Sequence, residues 1–297
     1  DLKELGVTEL RTGVSWADYY TPEGKEWYNW LIPTLAKEVN ILPCFLYTPP
    51  SIGEKKRTSA PPKDKKAYAD FLDVFISKHG EHFEWVELWN EPNNQVEYDF
   101  TLDYGWNKFA EMVGGAAYWC KQLGKKTLLG GMSPIDPNWL QTMYDRGVMQ
   151  YIDAVGVHGF PYVFDQMWDG WEDNVRAVRE VMDRNGCTSE LWITEAGFST
   201  WQHDEYKQLE EFKLVLQADV SRVYWYALKD LDAKLPTVGG FHLDEREYFF
   251  GLKRTDGTTK LLYRLWAKHG LEKLPELNYI KRTIDDNTEP YTLITGG

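Results

Sequence analysis

Two glutamates at the ends of short apolar segments are the residues of this sequence best suited to carry chemistry. Glu91 follows the aromatic run 84–90, and Glu195 follows the run 191–194. Such runs are typical of buried strands, and Pro92 ends the first one because proline lacks the N–H group that a central strand needs. Ligands bind at the carboxyl ends of parallel strands in α/β folds, so we expect both carboxyl groups on one face of a sheet.

A pair of carboxyl groups at one site is what glycoside hydrolysis requires. One protonates the departing oxygen, while the other attacks the anomeric carbon or activates water. Taken singly, Glu91 and Glu195 would be interpreted as surface acids at the start of a loop. As a pair, with Trp-Asn before one and Ile-Thr before the other, they favour the catalytic interpretation. Glu87 lies on the same face of its strand as Glu91 and is predicted to be a buried structural acid.

The motifs around these glutamates resemble those of a known group of enzymes. Trp-Asn-Glu-Pro at 89–92 resembles the acid/base motif on the fourth strand of the clan A retaining glycoside hydrolases, and Ile-Thr-Glu at 193–195 resembles their nucleophile motif on the seventh strand. Glu-Leu-Trp-Asn-Glu-Pro-Asn at 87–93 and Val-Gly-Val-His-Gly-Phe-Pro at 155–161 are similar to glycoside hydrolase family 39, the β-xylosidases and their relatives.

This resemblance implies an α/β fold, the (β/α)8 TIM barrel, over residues 1–270 as one domain. It also implies a retaining β-glycoside hydrolase without metal or cofactor, with Glu195 as the nucleophile and Glu91 as the acid/base. Retention places the two carboxyl groups about 5–5.5 Å apart, against roughly 6.5–9.5 Å for inversion. The chain has 297 residues, 43% of them hydrophobic, which is enough for a barrel of about 250 residues.

Six further residues are predicted to bind the substrate: Arg11, Asn90, His158, Trp225, Trp16 and Tyr162. By resemblance, Arg11 lies beside the nucleophile, where a fixed positive charge favours a carboxylate; the alternative is an ion pair elsewhere in the barrel. Asn90 resembles the residue that hydrogen-bonds the sugar 2-hydroxyl group. Trp225 resembles the aromatic floor under the sugar, and its alternative is a ring in the barrel core.

The other three candidates depend on their position along the chain. His158 ends the predicted strand 152–158, where it could contact the sugar or the surroundings of the nucleophile. Trp16 and Tyr162 lie in loops that could wall the pocket. The 14 Trp, 18 Tyr and 13 Phe residues supply aromatic faces, which suit the apolar faces of sugar rings, although many of these rings are expected in the core.

Charge and apolar patterning limit the partners. A net charge of −13 argues against nucleic acid or an anionic membrane as a partner and is compatible with a carbohydrate substrate. No apolar run is long enough to span a bilayer and no signal-peptide pattern is present, which predicts a cytoplasmic location. The three cysteines show no metal-ligand spacing, so no metal site is predicted from them.

Both ends of the sequence depart from the barrel pattern. Residues 1–6 resemble the end of the clan's first helix and residues 7–16 its second strand, so either residues precede Asp1 or another segment fills the place of the first strand. Residues 271–290 are linker-like, and Tyr-Thr-Leu-Ile-Thr-Gly-Gly at 291–297 resembles the start of an NAD-dependent epimerase domain. This tail either leads into such a domain of a longer protein or packs on the barrel.

Two functional alternatives stay open at this point. A non-catalytic carbohydrate-binding barrel, fused to a sugar-nucleotide epimerase, is the alternative to a hydrolase, and the presence of both glutamates favours the hydrolase. Among hydrolases, exo action of the xylosidase or glucosidase kind would need a closed pocket, whereas endo action on a polysaccharide would need an open groove.

Overall fold

A seven-stranded parallel sheet forms the centre of the protein. The computed structural model describes residues 1–234 and 244–277. Within these residues the strands stand in the sheet in sequence order, each paired in parallel with the next. The strands are β1 (Glu9–Ser15), β2 (Asn40–Leu46), β3 (Trp85–Leu88), β4 (Lys126–Met132), β5 (Ala154–Gly159), β6 (Glu190–Ala196) and β7 (Arg222–Trp225).

Helices follow the strands along the chain. Those in the described residues are α1 (Trp16–Tyr19), α2 (Pro22–Leu35), α3 (Lys66–His79), α4 (Asn107–Gln122), α5 (Pro137–Asp145), α6 (Trp171–Arg184), α7 (Glu205–Leu216) and α8 (Leu261–His269). Parallel strands joined by helical crossovers all end on the same side of the sheet. The predicted α/β barrel class is confirmed, and its carboxyl-end face is where the candidate site must be sought.

Capping side chains set where several helices begin. Thr21, Asp136 and Asp204 accept hydrogen bonds from backbone N–H groups in the first turns of α2, α5 and α7. Pro22 and Pro137 occupy the first positions of α2 and α5, where the missing N–H group costs nothing. Each such cap is worth about 1 kcal/mol, and it fixes the point at which a loop on the carboxyl-end face turns into a helix.

Aromatic rings fill the layer between the sheet and the helices near β2. Phe45 of β2 packs against Phe71 and Phe75 of α3, with ring centroids 5.8 and 5.1 Å away. All three rings are at most 1% exposed. Burying a ring of this size contributes about 1.5–3 kcal/mol, so this cluster anchors the β1–β3 side of the sheet.

The amino ends of the strands are closed by tryptophan. The rings of Trp85 and Trp192 lie 4.4 Å apart, centroid to centroid, and the Arg222 guanidinium lies 4.4 Å from the centre of the Trp192 ring. Small and branched residues complete this apolar cluster: Leu42, Leu128 and Ala154. Because this end is filled, access to the middle of the sheet is from the carboxyl ends.

The two edge strands β1 and β7 approach each other without pairing in the described residues. Arg222 Nη1 lies 2.8 Å from Glu9 Oε2, and the Tyr224 hydroxyl donates to the same oxygen over 3.0 Å. A cavity of about 170 Å³ separates the strands. Apolar side chains in its lining include Leu5, Leu252 and Trp266. This gap is where the predicted missing strand would belong.

The predicted tail strand 291–297 lies outside the described residues, as does 278–290. Its two predicted fates, an epimerase domain or packing on the barrel, therefore remain predictions. None of the helices in 1–234 and 244–277 combines the length and the apolar character that crossing a bilayer requires.

Candidate active site

Glu91 stands on a sharp turn after β3. Trp89 and Glu91 both have left-handed backbone conformations, with φ of 70° and 38°, and Tyr47 at the end of β2 has φ of 69°. Residues other than glycine adopt such values at a cost of about 1–3 kcal/mol, and only where the surroundings hold them. Trp89 is held in this way, since its ring is fully buried and its Nε1 donates to the Glu97 carbonyl oxygen over 3.2 Å.

An irregular register between β5 and β6 sets the position of Glu195. Val157 pairs with Ile193, but the next residue, His158, pairs with Glu195 and skips Thr194. A bulge of this kind redirects side chains and is common beside active sites. It brings the imidazole of His158 next to the carboxylate of Glu195 on the interior of the sheet.

The two carboxylates converge on His158. Its Nδ1 lies 2.9 Å from Glu91 Oε1 and 3.9 Å from Glu195 Oε2. One oxygen of each carboxylate and one ring nitrogen of His158 all lie within 4.8 Å of one another. The His158 side chain is fully buried, whereas Glu91 and Glu195 keep 13% and 18% exposure. A group bound at this point would therefore touch both carboxyl groups.

Arg11 of β1 holds the second carboxylate. Its Nη1 donates to Glu195 Oε1, while Nε and Nη2 donate to the two oxygens of Glu87 over 2.5 and 3.1 Å. Burial by itself would lower the pKa of the Arg11 guanidinium, but the negative charges of Glu87 and Glu195 outweigh it and raise this pKa well above its usual value. Arg11 therefore supplies a permanent positive charge beside Glu195.

Two asparagines hold the groups around Glu91. Asn94 Nδ2 donates to Glu91 Oε2 over 2.9 Å, and the Asn94 backbone N–H donates to the Glu91 carbonyl oxygen over 2.8 Å. Asn90 Oδ1 accepts from Arg11 Nη2 over 2.7 Å. With His158 on one oxygen and Asn94 on the other, the orientation of the Glu91 carboxyl group is fixed.

The other side of His158 is fixed by β4 and β6. Its Nε2 lies 3.0 Å from Thr194 Oγ1. A Cβ atom added to Gly131 of β4 would lie 2.2 Å from ring atoms of His158 and 2.6 Å from Thr194 Oγ1. Only glycine therefore allows the imidazole to lie this close to β4.

Five of the predicted site residues meet in this cluster: Glu91, Glu195, Arg11, Asn90 and His158. Trp16 is not among them, and the prediction that it walls the pocket is wrong. Its side chain is fully buried and stacks on Phe71 with ring centroids 5.6 Å apart. Ser15 ends β1 and caps α1, so the chain turns at once and Trp16 enters the layer between sheet and helices.

Trp225 also requires correction. Its ring packs against Phe212 of α7, with centroids 5.0 Å apart, so it does not form a floor under the carboxylates. The next residue, Tyr226, packs against Phe160 at 6.1 Å. Burial and then the negative charge of Glu195 raise the pKa of the Tyr226 hydroxyl to about 12. Tyr226 is the aromatic residue of this segment whose hydroxyl senses the charge of the site.

Tyr162 lies at the surface and not against the cluster. Tyr162 is 52% exposed, and Lys207 Nζ lies 5.3 Å from the centre of its ring. It lines a surface groove of about 1000 Å³ between α6 and α7. The backbone at Tyr162 is left-handed, with φ of 63°, and turns the loop that follows β5. The prediction that Tyr162 walls the pocket is therefore wrong, although the residue does lie in the predicted loop.

Sequence reasoning missed four residues that contact the cluster or lie close to it. Asn94 directly follows the predicted motif 87–93, and Thr194 lies within the predicted motif 193–195, so the polar type of each was a usable signal. Tyr226 is the residue after the predicted Trp225, and the two differ only in the face of the sheet to which their side chains point. Glu97, which lies farther along the same loop, carried no signal in its spacing.

The described residues offer one group of side chains that could hold a metal ion: Glu91, His158 and Glu195. A transition metal would need each ligand atom at about 2.0–2.2 Å. Here Nδ1 of His158 is engaged by Glu91 and one oxygen of Glu195 by Arg11. A cation would compete with the contact between His158 Nδ1 and Glu91, so the arrangement suits proton transfer and nucleophilic attack better than metal binding.

The fold is the α/β fold of the TIM-barrel glycoside hydrolases. No family model and no curated relative matches the sequence. Among solved structures, the chain is similar to a family 39 glycoside hydrolase from Bacteroides cellulosilyticus WH2, with a TM-score of 0.66 and 19% identity over 92% of this chain and 60% of that one.

Two further structures share the fold. The exo-β-1,4-mannosidase Op5Man5 from Opitutaceae bacterium strain TAV5 matches with a TM-score of 0.68 and 14% identity, over 93% of this chain and 54% of that one. A GH5_18 protein from Bifidobacterium longum subsp. infantis matches with a TM-score of 0.64 and 13% identity, over 91% and 71%. The chain thus spans 60% and 54% of the family 39 hydrolase and the mannosidase. At these identities the likeness establishes the fold.

Proposed function

We propose that the protein is a retaining β-glycoside hydrolase in which Glu195 is the nucleophile and Glu91 the general acid/base. The observation that carries this proposal is the convergence of the two carboxyl groups, with an oxygen of each within 4.8 Å of the other. This separation is near the roughly 5–5.5 Å of retaining enzymes and below the roughly 6.5–9.5 Å of inverting ones.

The contacts of each carboxyl group support this division of roles. Arg11 binds Glu195 Oε1, so Oε2 is the oxygen that we assign to attack on the anomeric carbon. As that bond forms, the bond from the anomeric carbon to the departing oxygen breaks, and Glu91 gives its proton to this oxygen. Water then attacks the same carbon, passes a proton to Glu91 and releases Glu195.

The structural neighbours support the same class of reaction. One is described as a family 39 glycoside hydrolase and another as an exo-β-1,4-mannosidase. Their low identity leaves the sugar of the present protein open, so the test must use several sugars.

The test is hydrolysis of a panel of p-nitrophenyl β-glycosides, including the xyloside, glucoside and mannoside. We expect Glu195→Gln to lower kcat/KM by at least about 10⁴-fold, because the covalent step is lost, while calorimetry still detects binding of the substrate. Glu172→Gln is the matched control, since the Glu172 side chain is 93% exposed on α6, and it should hydrolyse the substrate like the wild type.

The stereochemistry tests the mechanism separately. Proton NMR of the first sugar released from a β-glycoside should show the β anomer. Release of the α anomer would contradict retention, and substantial hydrolysis by Glu195→Gln would contradict the assignment of the nucleophile. Binding without turnover by the wild type would favour the carbohydrate-binding alternative.

A further inference from the structure

A third carboxyl group, that of Glu97, is buried beside the pair. Glu97 lies in the loop after β3 and is 5% exposed. Its Oε1 accepts a hydrogen bond from the Tyr47 hydroxyl over 3.3 Å, while its Oε2 has no hydrogen-bond partner among the described residues. A buried polar atom without a partner is uncommon in native proteins and calls for an explanation.

Glu97 lies beside Asn90 of the site. The Asn90 amide is close enough to the Glu97 carboxyl group to favour its ionised form and so to lower its pKa, and Asn90 Oδ1 accepts from Arg11 Nη2 over 2.7 Å. Arg11 can only donate. A flipped Asn90 amide would turn its NH₂ group toward the guanidinium and its oxygen toward Glu97, so the two neighbours together select one orientation.

The charges that face Glu97 are unfavourable for a carboxylate. The titratable groups around it are Tyr47, Glu91, Glu195 and the thiol of Cys44. In the described part of the chain no lysine or arginine pairs with Glu97, whereas Glu87 and Glu195 both bind Arg11. A buried carboxylate without a cation, and near two others, is costly and favours the protonated form.

We propose that Glu97 is a positioning residue of the candidate site, whose uncharged carboxyl group, held by the Tyr47 hydroxyl, fixes the Asn90 amide for the sugar. Burial and then the charge of Glu91 raise the pKa of Glu97 to about 8, which agrees with an uncharged group at neutral pH. The role of Asn90 toward a sugar rests on the proposed function, whereas the contact between Glu97 and Asn90 does not.

Ionisation of Glu97 has consequences of a definite sign. Above a pH of about 8, a new negative charge appears beside Asn90 and Glu91, so hydrolysis should decline on the alkaline side. The pKa of Glu97 is higher in the folded protein than in the unfolded chain, where it is about 4.3. The stability that the protonated group contributes is therefore complete at low pH and is lost as the pH rises toward 8.

The first experiment needs no hydrolysis. The protein is labelled with ¹⁵N-asparagine, and the Asn90 side-chain amide signals are assigned by their loss in Asn90→Asp. In the wild type these signals should titrate with a midpoint near pH 8, and in Glu97→Gln the titration should be absent. Signals that do not move between about pH 6 and 9.5, or that move alike in both proteins, would overturn the proposal.

The second experiment compares thermal stability with pH. Glu97→Gln should have a higher Tm than the wild type, with a difference that grows between about pH 5 and 8 to at least about 3 °C. Glu211→Gln is the matched control, because Glu211 is equally buried, 2% exposed, but pairs with Lys207 over 2.5 Å. No growing gain is expected there. A pH-independent difference for Glu97→Gln would contradict the uncharged state.

The third experiment is kinetic. Glu97→Gln should keep kcat within about threefold of the wild type near pH 6 and lose the alkaline decline, whereas Glu97→Ala should lower kcat at least about tenfold, the value of one hydrogen bond. A wild-type alkaline decline in Glu97→Gln would overturn the proposal. If the wild type itself hydrolyses nothing, the proposed hydrolase function fails, and the Asn90 titration still decides the role of Glu97.

Discussion

Arg11 uses one planar guanidinium to connect two strands with the candidate nucleophile. It donates to Glu195, to both oxygens of Glu87 and to Asn90. An arginine offers five N–H groups in a rigid fork, whereas a lysine offers three on a flexible stem. The positions of the three partner side chains therefore depend on the shape of Arg11 as well as on its charge.

Replacing Arg11 by lysine tests this dependence on shape. Arg11→Lys keeps the charge but cannot bind all three partners, so we expect kcat/KM to fall by about 100-fold, since hydrogen bonds between charged groups contribute about 1.5–3 kcal/mol each. The measurement is hydrolysis of the best p-nitrophenyl glycoside. Arg176→Lys, with a side chain 57% exposed on α6, is the control. Equal activity of Arg11→Lys and the wild type would contradict this account.

For residues whose motif falls at the end of a strand, such as Glu91 and Glu195, the local sequence was sufficient to predict that they meet at the site. It was not sufficient for aromatic side chains. Tyr224, Trp225 and Tyr226 are consecutive aromatic residues, and from the sequence alone any of them could face the interior of the barrel. Which one does so depends on the irregular pairing of β6 with β7, and this pairing is set by tertiary structure.

At the scale of elements, the approach of β4 to β5 makes the site possible. Gly131 leaves room for the His158 ring, and its backbone N–H donates to Glu87 Oε1 over 3.2 Å. A side chain at this position would have to displace either His158 or Thr194, which are both fully buried. The position of His158 is thus decided by a residue on the neighbouring strand.

Gly131→Ala tests the contact between β4 and β5. The added methyl group meets ring atoms of His158 at 2.2 Å, so we expect a loss of about 1–3 kcal/mol in unfolding free energy and at least about a tenfold loss of kcat/KM. Thermal denaturation and glycoside hydrolysis measure the two effects. Gly115→Ala on α4 is the control, because nothing lies within 4 Å of the added atom, and it should stabilise by up to about 1 kcal/mol. Unchanged activity of Gly131→Ala would show that the His158 ring moves without consequence.

Element boundaries show the same limit of sequence reasoning. The apolar periodicity predicts a helix over 26–39, whereas α2 runs over Pro22–Leu35. The cap at Thr21, followed by proline, starts the helix earlier than its apolar face does. The apolar face of the following helix predicts 67–79, and α3 runs over Lys66–His79.

At the scale of the whole molecule, the alternation of strands and helices predicted the barrel class, because a parallel sheet requires crossovers. The closure of the barrel could not be predicted in the same way. The Glu9–Arg222 ion pair joins residues 213 positions apart in sequence, and no local pattern specifies such a contact. What lies in the gap between β1 and β7 remains a prediction, since 278–297 fall outside the described residues.

The sharing of Arg11 has a consequence for the choice of sugar. Arg11 binds the carboxyl groups of Glu87 and Glu195, and the carboxyl group of Glu91 lies nearby against His158. In the described residues no other arginine or lysine contacts these three carboxyl groups. A uronic acid would bring a further like charge into a poorly solvated space, where repulsion at 4 Å costs about 4 kcal/mol. We therefore expect a β-glucoside to exceed the matching β-glucuronide in kcat/KM by at least about 100-fold. Faster turnover of the glucuronide would mean that an additional cation reaches the substrate. The enzyme would then have to distinguish among sugars by their shape rather than by excluding negatively charged ones.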